Sequence, residues 1–342
     1  MVGGQRTSGG GPRTAPGAGD GRPVSLLWPE PEVRQPPAGP AAPPPRPGTD
    51  PRPGPPFGEP GGPRAGVTSP RPRVWRVARR LLLAVLLLQL VSAGFVVTLR
   101  WWAPDRTAFM LQDSGPVIHQ HVSLDHVSRY TIAAVIAHED EELGPRTGAF
   151  TVAAFGARMA AYLRGQPDPT GSTIPQQLAK NIFLWPHQDP ARKAIEAVLS
   201  TELSVALSDQ RVVELYVDYA QFGPHLFGIC AASWYYFGEA PWDVTQYQAD
   251  QLMGVLPDPE RVTRAPGGGI DIGAGADPAA VDLVNGAANV HVPAELAGMG
   301  GWQAAVATIG IHDTAGDHAA DRGNSDACST MPPAVAARIA GT

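Results

Sequence analysis

Residues 128–140 read SRYTIAAVIAHED, and this stretch decides the fold class. Ile132, Val135 and Ile136 recur at helical spacing, with Ser128 placed at the start and Gly144-Pro145 as a stop signal. Glu139 stands seven, four and three residues after those apolar positions, so its carboxylate belongs to the inward stripe and not to the solvent side. A carboxylate there costs free energy unless it is paired or the stripe opens onto a cleft. A solvated acidic helix end, continued by Asp140-Glu141-Glu142, is the competing reading of the same residues.

Helical spacing of apolar residues continues from Asp125 to Glu260 without period-2 alternation, so the domain reads as mostly α. Gly171-Ser172-Thr173-Ile174-Pro175 signals a second helix, because Ser172 or Thr173 caps it and Pro175 fits a first turn whose N–H has no helical partner. Gln177, Lys180 and Leu184 then share a ridge. Asp189-Pro190 opens a third helix that carries Arg192, Lys193 and Glu196. The two cations stand at the positive end of the helix dipole, where acids are preferred, which points to a compensating anion. Of 26 basic residues only Lys180 and Lys193 are lysine, and both fall in these two clusters. A compact ammonium on a flexible stem suits a phosphate that must be held and released. Further helices begin near Ser208, run from Gly228 to Phe237, and carry Ala249, Leu252, Met253 and Val255. Cys230, set among Ile229, Ala231 and Ala232, reads as a small buried hydrophobe; with Cys328 it makes neither a disulfide framework nor a zinc ribbon.

The 342 residues include 39 Gly and 37 Pro, too many for one compact domain to absorb evenly. Twenty of the prolines and fifteen of the glycines precede Val74, so residues 1–73 are expected to be a disordered Pro/Gly/Arg-rich arm. Residues 81–99 read LLLAVLLLQLVSAGFVVTL, an uncharged run that spans about 28 Å as a helix. Five arginines from Arg71 to Arg80 precede it and Trp101-Trp102 follow it, which makes residues 74–102 a transmembrane anchor with a cytoplasmic amino terminus. The net charge of −6 hides an asymmetry. Residues 1–80 carry twelve Arg against five acids, whereas the rest carries 14 basic against 27 acidic residues. An acidic folded part repels phosphate chains and excludes nucleic acid as a partner. Residues 103–260 are expected to form the functional domain and the Gly/Ala-rich residues 261–342 a poorly ordered tail, in which His291, His312 and His318 have no metal spacing.

In order along the chain come Ile136-Ala137-His138-Glu139-Asp140, then Gly171-Ser172-Thr173-Ile174-Pro175-Gln176-Gln177-Leu178-Ala179-Lys180-Asn181. Arg192-Lys193-Ala194-Ile195-Glu196, Glu214-Leu215-Tyr216-Val217-Asp218, and Phe222-Gly223 to Gly228 with Tyr236-Phe237 follow. These five motifs resemble the family 51 peptidoglycan glycosyltransferases over about residues 130–260. Asn181-Ile182-Phe183-Leu184-Trp185 is similar to the monofunctional biosynthetic branch. The resemblance implies a lysozyme-like helical glycosyltransferase domain on a single transmembrane helix of the bacterial inner (plasma) membrane. Its activity would be the polymerisation of lipid II into β-1,4 glycan strands outside that membrane. By the same resemblance Glu139 is the catalytic base and Glu196 the second carboxylate, while Ser172, Gln177, Lys180, Asn181, Arg192 and Lys193 hold the diphosphate and sugar. No cofactor is required, and a divalent cation, Mg or Mn, at the diphosphate is an expectation of the family without a ligand cluster in this chain. Implied partners are lipid II, the growing glycan strand, the membrane, and other cell-wall synthesis or division proteins. The chain departs from the family pattern at Leu143, Arg146, Gly148-Ala149-Phe150, Pro175, Gln188, Asp218 and His225. A non-catalytic cell-wall scaffold and a lysozyme-like glycan hydrolase are the alternative readings.

Overall fold

The computed structural model describes residues 71–166, 171–187, 189–313 and 319–341. The arm up to residue 70, Gln188 and His318 lie outside the described residues. The structure is mostly helical. The first helix, α1 (Arg71–Thr98), contains the one segment among the described residues, Val74–Thr98, that is long and apolar enough to cross a membrane. Its leucines are exposed, as a lipid-facing surface requires. Its exit end is tied to the domain: Ser92 Oγ donates to Glu202 Oε1 at 2.8 Å and Gln89 donates to the same oxygen. Arg211 Nε donates to the carbonyl of Leu99 at 2.7 Å.

The domain core begins with α2 (Arg129–Glu139), whose residues Ile132 to Ile136 are all fully buried. A helix buried on all sides needs neighbours on all sides, and α2 is the hub of the domain. After α3 (Val152–Leu163) come α4 (Ile174–Phe183) and α5 (Pro190–Ala206). Both start where the sequence places them. Thr173 and Gln176 form a capping box on α4, and Asp189 caps α5 by accepting from Arg192 N at 2.9 Å. Ser208 likewise caps α6 (Asp209–Tyr219). The element α3 has no counterpart in the expectations from sequence. Its Val152, Phe155, Met159 and Leu163 stand at helical spacing in the sequence and are exposed in the fold, so this helix turns its apolar stripe outward.

A two-stranded antiparallel hairpin, β1 (Gln221–Gly223) and β2 (Leu226–Phe227), turns the chain into α7 (Ile229–Tyr236), and α8 (Gln246–Met253) completes the part that resembles the family. Gly228 makes this turn possible. Its φ is 83°, and a side chain there would come within 2.6 Å of the Asp218 carbonyl oxygen.

Two expectations are corrected beyond this point. The residues after 261 are not a loose tail: α9 (Pro278–Gly286), α10 (Val292–Met299), α11 (Trp302–Ala307) and α12 (Pro333–Ala340) pack against the core, burying Ala280, Val284, Val292, Leu296, Ala305, Val306 and Val335. Small side chains that give a weak periodic signal let helices approach closely. Gly254, for example, lies against the backbone of Leu283 and Val284, where a Cβ would meet Val284 Cα at 2.5 Å. Cys230 is buried, but not as a free thiol. It is disulfide-bonded to Cys328 across 98 residues, a pairing that no local spacing encodes and that the docking of the last helices creates.

The disulfide closes a long loop and removes entropy from the unfolded chain. Cys328→Ser is expected to cost about 2–4 kcal/mol. Thermal melts of the wild type with and without reductant should reproduce the loss, and the variant should be insensitive to reductant.

Asp250 on α8 is 3 % exposed, and its Oδ1 has no hydrogen-bond partner among the described residues. Burial pushes its carboxyl up to about 6, partly opposed by the nearby His138. The unfolded chain ionises this group near its ordinary 3.8, so the folded protein binds the extra proton between about 4 and 6 and loses stability as pH rises through that window. Asp250→Asn should therefore melt a few degrees higher than the wild type at pH 7.5, on the order of 1–2 kcal/mol. The difference should vanish near pH 4.

Candidate active site

The carboxyl end of α2 and the amino ends of α4 and α5 converge on a cavity of about 470 Å³. Glu139, Ser172, Gln177, Lys180, Arg192, Lys193 and Glu196 all line it, so seven of the eight residues singled out from sequence come together. Asn181 does not. It sits one turn farther along α4 than Gln177, buried, with its backbone carbonyl accepting from Phe109 N at 3.3 Å. Its short side chain lacks the four-carbon stem by which Lys180 reaches the cavity. Gln176, Leu256 and Pro257 complete much of the wall.

Asp140 fixes this convergence. The Arg146 guanidinium grips its carboxylate through two bonds of 2.5 and 2.7 Å, and Oδ2 also accepts from Ile174 N, the first residue of α4, at 3.0 Å. Both side chains are nearly fully buried. One carboxylate thus joins the end of α2 to the start of α4 and meets the positive end of the α4 dipole. Arg146, a departure from the family pattern, is what neutralises it.

Glu139 and Gln177 are positioned by that joint. Gln177 Nε2 donates to Glu139 Oε2 at 2.7 Å, and the orientation of the amide is fixed because the Tyr216 hydroxyl donates to its Oε1 at 3.0 Å. Tyr216, from α6, is the residue that sequence reasoning treated as core and that belongs to the site through Gln177. Burial, and then the Glu139 charge, hold its phenol well above the usual range, so it stays a donor. Among the described residues only one oxygen of Glu139 is hydrogen-bonded, which leaves Oε1 to accept a proton from a bound group.

Opposite, Glu196 is 2 % exposed and is held by two cations of its own helix: Lys193 at hydrogen-bond distance and Arg192 at 3.6 Å. Lys193 Nζ also donates to Ser172 Oγ at 3.2 Å. Burial lowers the pKa of Lys180, and Glu196 partly restores it. With Lys180, Arg192 and Lys193 against Glu139 and Glu196, the wall carries an excess of positive charge. Two of its buried donors, Arg192 Nε and Gln176 Nε2, have no hydrogen-bond partner among the described residues. A hollow whose wall carries three cations against two carboxylates is the complement of an anion with several acceptor oxygens.

A larger cavity of about 990 Å³, walled by Arg129, Trp242 and Trp302, lies at the opposite end of α2 and includes none of the residues singled out from sequence. Its acids and cations are engaged with one another, as in the pairing of Arg129 with Asp313, so convergent chemistry and not volume distinguishes the smaller hollow. Among the described residues no group of three or more His, Cys, Asp or Glu side chains is arranged to hold a metal ion.

A family model described as Transglycosylase matches residues 110–267, the segment that contains the smaller cavity. Several curated proteins named biosynthetic peptidoglycan transglycosylase are similar to this chain. One from Shewanella amazonensis is 36 % identical over 204 residues, which is 58 % of this chain and 83 % of the relative. One from Marinomonas sp. is 37 % identical over 198 residues, 57 % of this chain and 82 % of the relative. One from Pasteurella multocida is 34 % identical over 197 residues, 54 % of this chain and 80 % of the relative. The agreement of motif order, helical architecture and sequence identity across most of the relatives' length has one conclusion: the chain belongs to the biosynthetic peptidoglycan transglycosylase family, glycosyltransferases that act on peptidoglycan.

Proposed function

We propose that this glycosyltransferase polymerises lipid II into β-1,4 glycan strands, with Glu139 as general base and the Lys180–Arg192–Lys193 cluster as the seat of the donor's diphosphate. The observation that carries this reading is the placement of a half-engaged carboxylate and three cations in one hollow. The donor sugar is α-linked to a polyprenyl diphosphate, so forming the β bond inverts the anomeric carbon. Glu139 Oε1 takes the proton of the acceptor 4-hydroxyl as its oxygen attacks C1, and the C1–O bond electrons leave with the diphosphate. Charge developing on that leaving group is met by fixed cations in a partly dry site, where such stabilisation counts most. Glu196 keeps the cluster aligned by pairing with Lys193 and Arg192.

A divalent cation at the diphosphate does not fit a protein-held site here. Glu196 is already committed to two cations, and among the described residues no third carboxylate or imidazole stands beside Glu139 and Glu196 in the wall. The positive charge that this chain itself brings to the leaving group is that of Lys180, Arg192 and Lys193.

A placement against the membrane is supported by the apolar surface beside the anchor. The anchor α1 shares a shallow, largely apolar groove of about 450 Å³ with Phe150 and with Val198 and Val205 of α5, while α3 exposes Val152 and Leu163. An apolar flank continuous with the anchor supports a domain that sits against the bilayer, where a lipid-linked substrate arrives. The five arginines from Arg71 to Arg80, ahead of the apolar run of α1, and the Cys230–Cys328 disulfide both support an extracytoplasmic domain, since disulfides persist in oxidising compartments.

The test is a polymerisation assay with purified protein and lipid II. Wild type is expected to yield glycan polymer, and Glu139→Gln to lose about 10²–10⁴-fold in rate while still binding substrate. Release of fragments from intact sacculi by the wild type, without polymer from lipid II, would establish the hydrolase reading instead. Lys180→Ala should raise KM and lower kcat together, because the lost charge serves both the bound and the departing diphosphate.

A further inference from the structure

The carboxyl-terminal segment beyond residue 267, outside the part matched by the family model, grips the catalytic helix at both ends. At its first residue, Arg129 is 5 % exposed and donates through Nε to Asp313 Oδ1 at 3.0 Å, with a second bond from Nη2 to Oδ2. At its penultimate residue, His138 Nδ1 lies 2.8 Å from Glu295 Oε2 of α10. Between these ties α10 and α11 pack along α2, and Trp302 meets Tyr130 edge to face at 5.2 Å between ring centroids. The loop that leaves α2 is seated on α11 as well: a Cβ on Gly144 would meet the Thr308 carbonyl oxygen at 2.2 Å, so only glycine permits the approach.

The tie at His138 bears directly on the proposed base. Glu139 occupies the last position of α2, where the final carbonyls of a helix lack intrahelical partners and the turn frays unless side chains hold it. Asp140 pins the residue after Glu139 and the His138–Glu295 bond pins the residue before it. A carboxylate acceptor requires the proton on Nδ1, so Glu295 fixes both the ring and its tautomer. Asp250, the other carboxylate near His138, comes from α8 on the family part of the chain, whereas Glu295 comes from the extension.

We propose that Glu295 is a positioning residue of this enzyme: by accepting the hydrogen bond of His138 Nδ1 it holds the last turn of α2 and thereby sets Glu139 Oε2 against Gln177, so that the carboxyl-terminal extension is part of the catalytic unit. The proposal rests on Glu139 being the base. A small misplacement of a base is costly in rate and changes little in ground-state affinity.

The experiment uses the full-length protein in detergent or vesicles with lipid II as substrate, and compares Glu295→Ala, Glu295→Gln and Glu139→Gln with the wild type. Glu295→Ala is expected to lower kcat about tenfold with KM changed less than twofold. Glu295→Gln keeps an acceptor oxygen for Nδ1–H and should restore at least half of the wild-type kcat. Because Glu295 is one-third exposed, both variants should melt within a few degrees of the wild type. Wild-type kcat in Glu295→Ala, or a Glu295→Gln no better than Glu295→Ala, overturns the proposal. An active Glu139→Gln overturns the assignment of the base, which is a separate failure.

Discussion

The architecture of the site depends on one buried ion pair. Asp140, clamped by Arg146, accepts the first free N–H of α4 and so welds the end of one helix to the beginning of another. Two charges taken out of water are expensive unless they are well hydrogen-bonded, and here three hydrogen bonds reach the carboxylate. Removing either partner would leave a bare buried charge, at a cost of about 3–5 kcal/mol. From that joint the rest follows in sequence: Gln177 meets Glu139, Tyr216 orients Gln177, and the cations of α5 close the opposite wall.

The charge pattern of the hollow explains why a transferase and not a plain hydrolase fits it. A neutral sugar chain would leave Lys180, Arg192 and Lys193 facing one another across a confined space with only Glu196 and Glu139 in partial compensation. The proposed diphosphate would supply the missing negative charge. Both lysines of the chain line this hollow, beside Arg192.

What was legible in the sequence was local. The caps at Thr173, Asp189 and Ser208 are written in four consecutive residues each, and the helices start there. The apolar stretch of α1 and the ridge of Gln177 and Lys180 are likewise short-range patterns. What was not legible was set by distant contacts. Tyr216 reads as core because its ring is buried, and only the α4–α6 packing reveals that its hydroxyl serves the site. Asn181 fits the family motif yet lies past the cavity, since motif membership does not say how far a short side chain reaches. The Gly/Ala-rich segment after 261 carries little periodic contrast, so its packing and the Cys230–Cys328 bond emerge only in three dimensions. The spacing of Val152, Phe155, Met159 and Leu163 does carry α3, and what the sequence could not say is that this apolar side faces outward.

The reach of the extension back to α2 also sets a clock on biogenesis. His138 and Glu295 are 157 residues apart, and Arg129 and Asp313 are 184 apart. A ribosome adding roughly 5–20 residues per second needs about 8–40 seconds to cover such separations. During that interval the segment holding Glu139 has been synthesised while its far tethers do not yet exist. Until the last helices arrive, Arg129 and His138 at the two ends of α2 lack Asp313 and Glu295, and a truncated translation product never acquires them.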